Sequence, residues 1–284
     1  MSFFSFLRRL KKGLKLFIQT MKYGGYSEIN ISQITNDEML KGKNILITGG
    51  GSGIGYAIAQ KCVMSGANVV ICGRNEEKLK AAKDKLNSDS VHFLKWDISK
   101  IEKTEIKLEE CRKLFSSDID ILVNNAGVEP KEFFPNVSVK EWDRVYQTNS
   151  KGTYFVTETI SKYWMQQTDR PTKKIIMIDS KGGFVGATYP YRMTKSDIRG
   201  LTKGLGLKMA QYNVLVNAIA PGVVRTEMQS FSLKQGNNMY TDQTPLSRVS
   251  LPEEVAEVAA FMMSDACNYM VGQTILIDGG FSLN

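Results

Sequence analysis

Asn44-Ile45-Leu46-Ile47-Thr48-Gly49-Gly50-Gly51-Ser52-Gly53-Ile54-Gly55-Tyr56 is the stretch on which the fold is read. A short apolar, β-branched run enters a glycine turn, and a helical pattern follows from Tyr56 to Ser65. Strand, tight turn and helix in that order place free backbone N–H groups, with their partial positive charge, at the turn. Glycines there let a pyrophosphate approach the main chain. A glycine cluster alone is weak evidence, because any sharp β-α turn can use one; its place after the first strand makes it a candidate phosphate cradle.

Outward from this unit, apolar runs recur at Asn68 to Cys72, Val91 to Trp96, Ile119 to Asn124, Lys174 to Asp179, Val214 to Ile219 and Thr274 to Ile277, each separated by a longer helical pattern. Together with Asn44 to Thr48 they make seven strands alternating with helices. This predicts a doubly wound, Rossmann-type α/β domain: a seven-stranded parallel sheet with helices on both faces and ligands beyond the carboxyl ends of the strands.

The 284 residues are 42% apolar and 23% charged, enough to bury a core without metal or disulfide staples. A single histidine, His92, excludes a Ser-His-Asp hydrolase, an HExxH protease and a histidine metal cage, so no metal is expected. Acid-base work falls to Tyr, Lys, Ser or carboxylates. Cys62, Cys72, Cys111 and Cys267 form no CxxC pair and read as reduced core thiols, which suits a cytoplasmic compartment.

The net charge of +8 is unevenly placed, since residues 1–22 carry Arg8, Arg9, Lys11, Lys12, Lys15 and Lys22 and no acid. The remainder is nearly neutral, which argues against nucleic acid as a partner. Phe3, Leu7, Leu10, Leu14, Phe17 and Met21 share one helical face, so an N-terminal basic amphipathic helix is expected. It is too short of apolar residues to span a bilayer. Three readings stay open: peripheral contact with an anionic membrane surface, an organelle transit segment, or packing on its own domain or a neighbouring subunit. Residues 23–42 read as a linker or wrapped arm, and 43–284 as the catalytic domain that binds a dinucleotide.

The glycines are spaced as TGxxxGxG rather than GxGxxG. With Thr48-Gly49-Gly50-Gly51-Ser52-Gly53-Ile54-Gly55, Asp97, Asn124-Asn125-Ala126-Gly127, Asn149, Ser180, Tyr191, Lys195, Pro221-Gly222 and Asp278-Gly279-Gly280, the chain resembles the short-chain dehydrogenase/reductases of the TGxxxGxG and YxxxK subgroup. The likeness covers about residues 43 to 281. It implies that Thr48, Gly49, Gly51, Ser52, Gly53, Ile54 and Gly55 cradle the cofactor phosphates, that Asp97 and Ile98 meet the adenine, and that Asn125, Ala126 and Gly127 flank a ribose. Pro221, Gly222, Val224 and Thr226 would lie by the nicotinamide carboxamide. Asp97 could instead cap a helix beginning near Ser99. About 20 residues past the glycines, a dinucleotide fold places the group that meets the adenosine ribose. Here Gly73 fills the acidic slot and Arg74 and Asn75 follow, which favours the 2′-phosphate of NADP(H) over NAD(H).

Of eleven tyrosines, only Tyr191 has a lysine four residues later, Lys195, which puts both on one face of a helix. A nearby ammonium favours the phenolate. By resemblance Tyr191 is the general acid or base, Lys195 also holds the nicotinamide ribose, Ser180 holds the substrate oxygen, and Asn149 supports a proton-carrying water chain. Two departures stand out. Ser180 and Tyr191 are 11 residues apart, a loop about two residues shorter than is common in the family, with Thr188 as a substitute hydroxyl; and Asp179 replaces a frequent small hydroxyl residue. Glu227 to Thr244 falls where relatives keep a substrate lid. The reading is an NADP(H)-preferring oxidoreductase interconverting a carbonyl and a secondary alcohol, expected by resemblance to be a homo-dimer or tetramer. An enoyl-thioester reductase on the same fold and a non-catalytic nucleotide-binding regulator are the alternatives.

Overall fold

Strand β1 (Asn44–Thr48) is buried along its whole length and pairs in parallel on both sides, with β2 (Asn68–Gly73) and with β4 (Ile121–Asn124). That position at the centre of a sheet is what an uninterrupted apolar run demands. In this computed structural model, which describes residues 14, 18, 38–226 and 243–283, the remaining strands are β3 (Val91–Lys95), β5 (Lys173–Ile178), β6 (Val214–Pro221) and β7 (Thr274–Ile277). The sheet has seven strands, all parallel, as the sequence predicts, and its order, β3-β2-β1-β4-β5-β6-β7, reverses between β1 and β4.

Alternate residues of each strand feed two cores. Ile45, Ile47, Val69, Ile71, Val123 and Ile176 pack with helices α1 (Gly53–Met64), α2 (Glu76–Leu86) and α7 (Pro252–Met263). Leu46, Val70, Leu122, Ile175, Met177 and Val216 pack with α3 (Thr104–Phe115), α5 (Thr153–Met165) and α6 (Pro190–Met209). Helix α4 (Val139–Tyr146) runs into a π-helical turn, Gln147–Gly152, which leads into α5. All four cysteines are buried and unpaired, and burial pushes the Cys72 thiol up to about 12.

Where boundaries differ from expectation, a side chain explains the shift. Strand β5 begins at Lys173, whose backbone opens the ladder opposite Val214 and whose ammonium meets Asp120 at 2.8 Å, while the buried Lys174 ammonium donates to the carbonyls of Met262 and Ser264. Helix α1 starts at Gly53, inside the glycine motif. Asp97 caps no helix at Ser99: its Oδ1 accepts from the Ser99 backbone N–H at 3.0 Å and the Ser99 hydroxyl at 2.8 Å, an Asx turn, and α3 starts only at Thr104. The N-terminal amphipathic helix, all but the end of the 23–42 arm, and most of the lid at Glu227 to Thr244 lie outside the described residues.

The carboxyl ends of β1 and β4 are clamped together. The Thr48 hydroxyl accepts from the backbone N–H groups of Asn125 and Ala126 at 3.0 Å each, and Asn125 Nδ2 donates to the carbonyls of Thr48 and Gly49 at 2.9 and 3.0 Å. Gly55 must lack a side chain for this clamp to close, since a Cβ there would stand 2.4 Å from Asn125 Nδ2 and from the Gly49 carbonyl. Gly55→Ala should cost about 1–3 kcal/mol in urea unfolding, the scale of an overpacked core. Gly186→Ala, with nothing within 4 Å of its added Cβ, should sit within about 0.5 kcal/mol of the parent; equal stability of the two variants would contradict the clamp.

Candidate active site

A cleft of about 440 Å³ opens over the carboxyl ends of the strands at the point where their order reverses. Of the residues singled out in the sequence, Gly49, Gly51, Ser52, Gly53, Ile54, Arg74, Asn75, Asp97, Ile98, Asn125, Ala126, Gly127, Tyr191, Lys195 and Thr226 line it. Thr48 and Gly55 stand behind its wall, in the β1–β4 clamp. Pro221, Gly222 and Val224 are not brought to it: Pro221 ends β6, Gly222 donates to the Ile277 carbonyl at 2.8 Å with Asp278 packed against it, and Val224 bridges to Ser250.

The cleft suits a dinucleotide. Ser52, at the N-cap of α1, makes no side-chain cap bond and the first turn holds no acid, so backbone N–H groups are left for an anion. Gly49 and Gly53 adopt φ of +68° and +56°, a region closed to most side chains. At the other end α2 is built differently: Asn75 Oδ1 accepts from the Lys78 N–H at 2.9 Å, so its side chain caps the helix. Lys78 lines the cleft beside Arg74, one turn along, and sequence reading missed it. The signal was present, since a cap at Asn75 puts residue 78 in the first turn facing the same way. Glu76 is drawn aside by Lys80 and Lys95, each at 3.4 Å, which hold its carboxyl below the usual range.

Helix α6 begins with Pro190 in its first turn, and this sets Tyr191 and Lys195 on the face against the cleft. The Lys195 ammonium donates to the Ile178 carbonyl at 2.7 Å and lies 5.6 Å from the Tyr191 ring centroid. Despite the shortened loop, Ser180 stands beside Tyr191, near enough to pull the phenol's pKa down. It also accepts from the Gly182 N–H at 3.1 Å, which orients it. Thr188 is not needed as a substitute.

Asn149 sits behind the cleft within the π-helical turn, a distortion frequent at functional sites. It accepts from the Val128 N–H at 2.8 Å and donates to the Val128 carbonyl at 3.0 Å and the Thr194 hydroxyl at 3.3 Å. Thr194 in turn donates to the Tyr191 carbonyl at 2.7 Å, so the turn is tied to the start of α6.

The electrostatics run against one expectation. Burial raises the Tyr191 phenol above its ordinary range; the Ser180 bond pulls it back, and Glu129, Asp179 and Tyr189 push it further up. Within the chain itself desolvation is the largest influence on the phenol. Burial also lowers Lys195, which Asp179 opposes, and raises Glu129. Sequence reading assigned no role to Asp179. It lines the cleft at 2% exposure, neither carboxylate oxygen has a side-chain or backbone partner of normal geometry, and burial pushes its carboxyl up to about 6. No cluster of His, Cys, Asp or Glu able to hold a metal occurs among the described residues, and no helix among them is long and apolar enough to cross a membrane.

A doubly wound parallel sheet, an open helix N-terminus at the reversal of strand order and a tyrosine–lysine pair facing the same cleft define an NAD(P)-dependent oxidoreductase. A family model described as enoyl-(acyl carrier protein) reductase matches residues 49–282. Similar proteins include the 3-oxoacyl-(acyl-carrier-protein) reductase of Aquifex aeolicus, 35% identical over 85% of this chain and 98% of that one. The L-rhamnose 1-dehydrogenase (NADP(+)) of Thermoplasma acidophilum is 31% identical over 86% and 98%. Among solved structures, 3-ketoacyl-(acyl-carrier-protein) reductase from Brucella melitensis, complexed with NADH, superimposes with a TM-score of 0.79 at 29% identity, covering 86% of this chain and 99% of that one. The chain belongs to the short-chain dehydrogenase/reductase family.

The Asp179 carboxyl makes a stability prediction. Its folded pKa, about 6, lies above the 3.8 of a free aspartate, so its ionised form costs stability at pH 7 and the cost fades as pH falls through 6 toward 4. Asp179→Asn should be more stable than the parent at pH 7.5 by on the order of 1–3 kcal/mol, with the gain shrinking at pH 5. A variant less stable at pH 7.5 in calorimetry would contradict this.

Proposed function

We propose that the chain reduces a carbonyl compound to a secondary alcohol with NADP(H), Tyr191 delivering the proton. The observation that carries this reading is that Tyr191 and Lys195 line one end of a cleft whose other end is lined by Arg74 and Lys78, with Ser180 beside the phenol. The glycine turn and the open start of α1 would hold the pyrophosphate, Asp97 and Ile98 the adenine end, and Lys195 a ribose. The cofactor supplies the hydride when bound.

Ser180 is placed to donate a hydrogen bond to the substrate oxygen, beside the phenol. Because burial holds the phenol's pKa high, Tyr191 keeps its proton at neutral pH and is ready to give it to a carbonyl oxygen as negative charge develops there. Asn149 holds the start of α6 through Thr194 and so fixes where the phenol stands. The Ser180–Tyr191 contact supports carbonyl reduction over enoyl-thioester reduction. The acyl-thioester and sugar-acting relatives leave the substrate class open between those two.

Arg74 and Lys78, with Glu76 turned toward other lysines, support a preference for the 2′-phosphate of NADP(H). Self-association is proposed from an open groove of about 1130 Å³ between α4, α5 and α6, bordered by Tyr146, Tyr154, Phe155 and Leu201. Contact of residues 1–22 with an anionic bilayer is proposed on their charge pattern alone.

Tyr191→Phe should lower turnover of a ketoacyl or keto-sugar substrate by about 10²–10⁴-fold, the usual share of general acid catalysis, with NADPH affinity unchanged by fluorescence titration. Retained turnover would remove Tyr191 from the chemistry. Arg74→Ala should lower kcat/KM for NADPH on the order of 10- to 100-fold, as for loss of a charged hydrogen bond, and leave the NADH value in place. An equal loss with both cofactors would refute phosphate recognition at this residue.

A further inference from the structure

We propose that Asp179 is a positioning residue for the reaction, holding Lys195 in its ammonium form from within the floor of the cleft. This inference rests on the reading of Lys195 and Tyr191 as the reactive pair. Three observations carry it. Asp179 follows directly on β5, whose last residue, Ile178, supplies the carbonyl that receives the Lys195 ammonium at 2.7 Å. Its Oδ1 and the backbone carbonyl of Lys195 each stand 3.0 Å from the point where a Cβ on Gly183 would lie, so the carboxylate faces the first turns of α6 across a closely fitted glycine. Both its oxygens are buried without a partner of normal hydrogen-bond geometry.

A buried, unsatisfied carboxylate lowers stability and needs a reason to be there. Lys195 supplies it. At 7% exposure an ammonium loses most of its hydration, and desolvation drives it toward the neutral amine. A neutral Lys195 would have no positive charge to set beside the phenol and would lose one of its three N–H donors. Asp179 is the group that opposes this. It acts through space, since the ammonium's recorded bond goes to Ile178 and not to the carboxylate, which leaves the other two N–H groups for ligands in the cleft. A direct salt bridge would consume one.

The titratable groups facing Asp179 are Lys195, Arg199 and Tyr191, all on α6; β6 meets it through the Ile219 carbonyl, which accepts from the Asp179 N–H at 2.7 Å, and the turn after Ser180 meets it through Gly183. Glu129 faces the phenol from the loop after β4. Removing the Asp179 charge therefore takes away the carboxylate acting on Lys195 and leaves Arg199 uncompensated, two changes of the same sign.

The test is a titration of Lys195 itself. In the full chain labelled with ¹³C-lysine, the Lys195 Cε resonance is assigned by its loss in Lys195→Arg and followed with pH. In Asp179→Asn and Asp179→Ser its midpoint should fall by about one pH unit or more, and two variants guard against one that does not fold. The alkaline limb of kcat/KM with NADPH should move down by the same amount. A midpoint that coincides in all three proteins overturns the proposal. A chain that reduces no carbonyl compound would instead defeat the proposed function, and the titration would still decide the role of Asp179.

Discussion

The contact on which the rest of the molecule depends is the clamp between the ends of β1 and β4. In a doubly wound sheet these two strands are neighbours whose following chains depart to opposite faces, so their ends tend to part and a crevice opens between them. Thr48 and Asn125 close the base of that crevice with hydrogen bonds running both ways across it. The glycine turn on one side and the β5–α6 machinery on the other are thereby held at a fixed separation. Gly49 and Gly55 follow from the clamp, since either side chain would collide with Asn125.

Above this base, desolvation governs the chemistry. Tyr191, Lys195 and Asp179 are grouped where water is scarce, and each is displaced toward its neutral form: the phenol and the carboxyl upward, the ammonium downward. Such displacement, with specific charged neighbours in a cleft, is characteristic of working sites. The arrangement suits a proton donor. It also makes this region costly to fold, and the expense is borne by the two cores on either face of the sheet, where alternating strand residues are nearly all excluded from solvent.

Much of this was legible in the sequence. The seven apolar runs, their alternation with helices and the spacing of Tyr191 from Lys195 are local patterns, and local patterns survive being read without coordinates. What was not legible depended on partners distant in the chain. Asn75 lines the cleft and also caps α2 through its side chain, and the capped first turn carries Lys78 to the cleft. The backbone ties of Gly222 to β7 and of Val224 to Ser250 are contacts between segments far apart in the chain. The direction of the Tyr191 shift could not be read from a four-residue spacing, because it is set by how much water the surrounding fold removes. Asp179 appeared only as a departure from family habit; its burial and its orientation toward α6 needed the third dimension.

The central claim is that one cleft binds the dinucleotide along the glycine turn and presents its reactive end to the Tyr191 phenol. A crystal structure of the chain with NADP+ tests it most directly. The 2′-phosphate should lie within hydrogen-bond reach of Arg74 or Lys78, the pyrophosphate against the start of α1, and the Lys195 ammonium within about 3 Å of a ribose hydroxyl. A dinucleotide bound elsewhere, or lying in this cleft with its reactive end turned away from Tyr191, would contradict it.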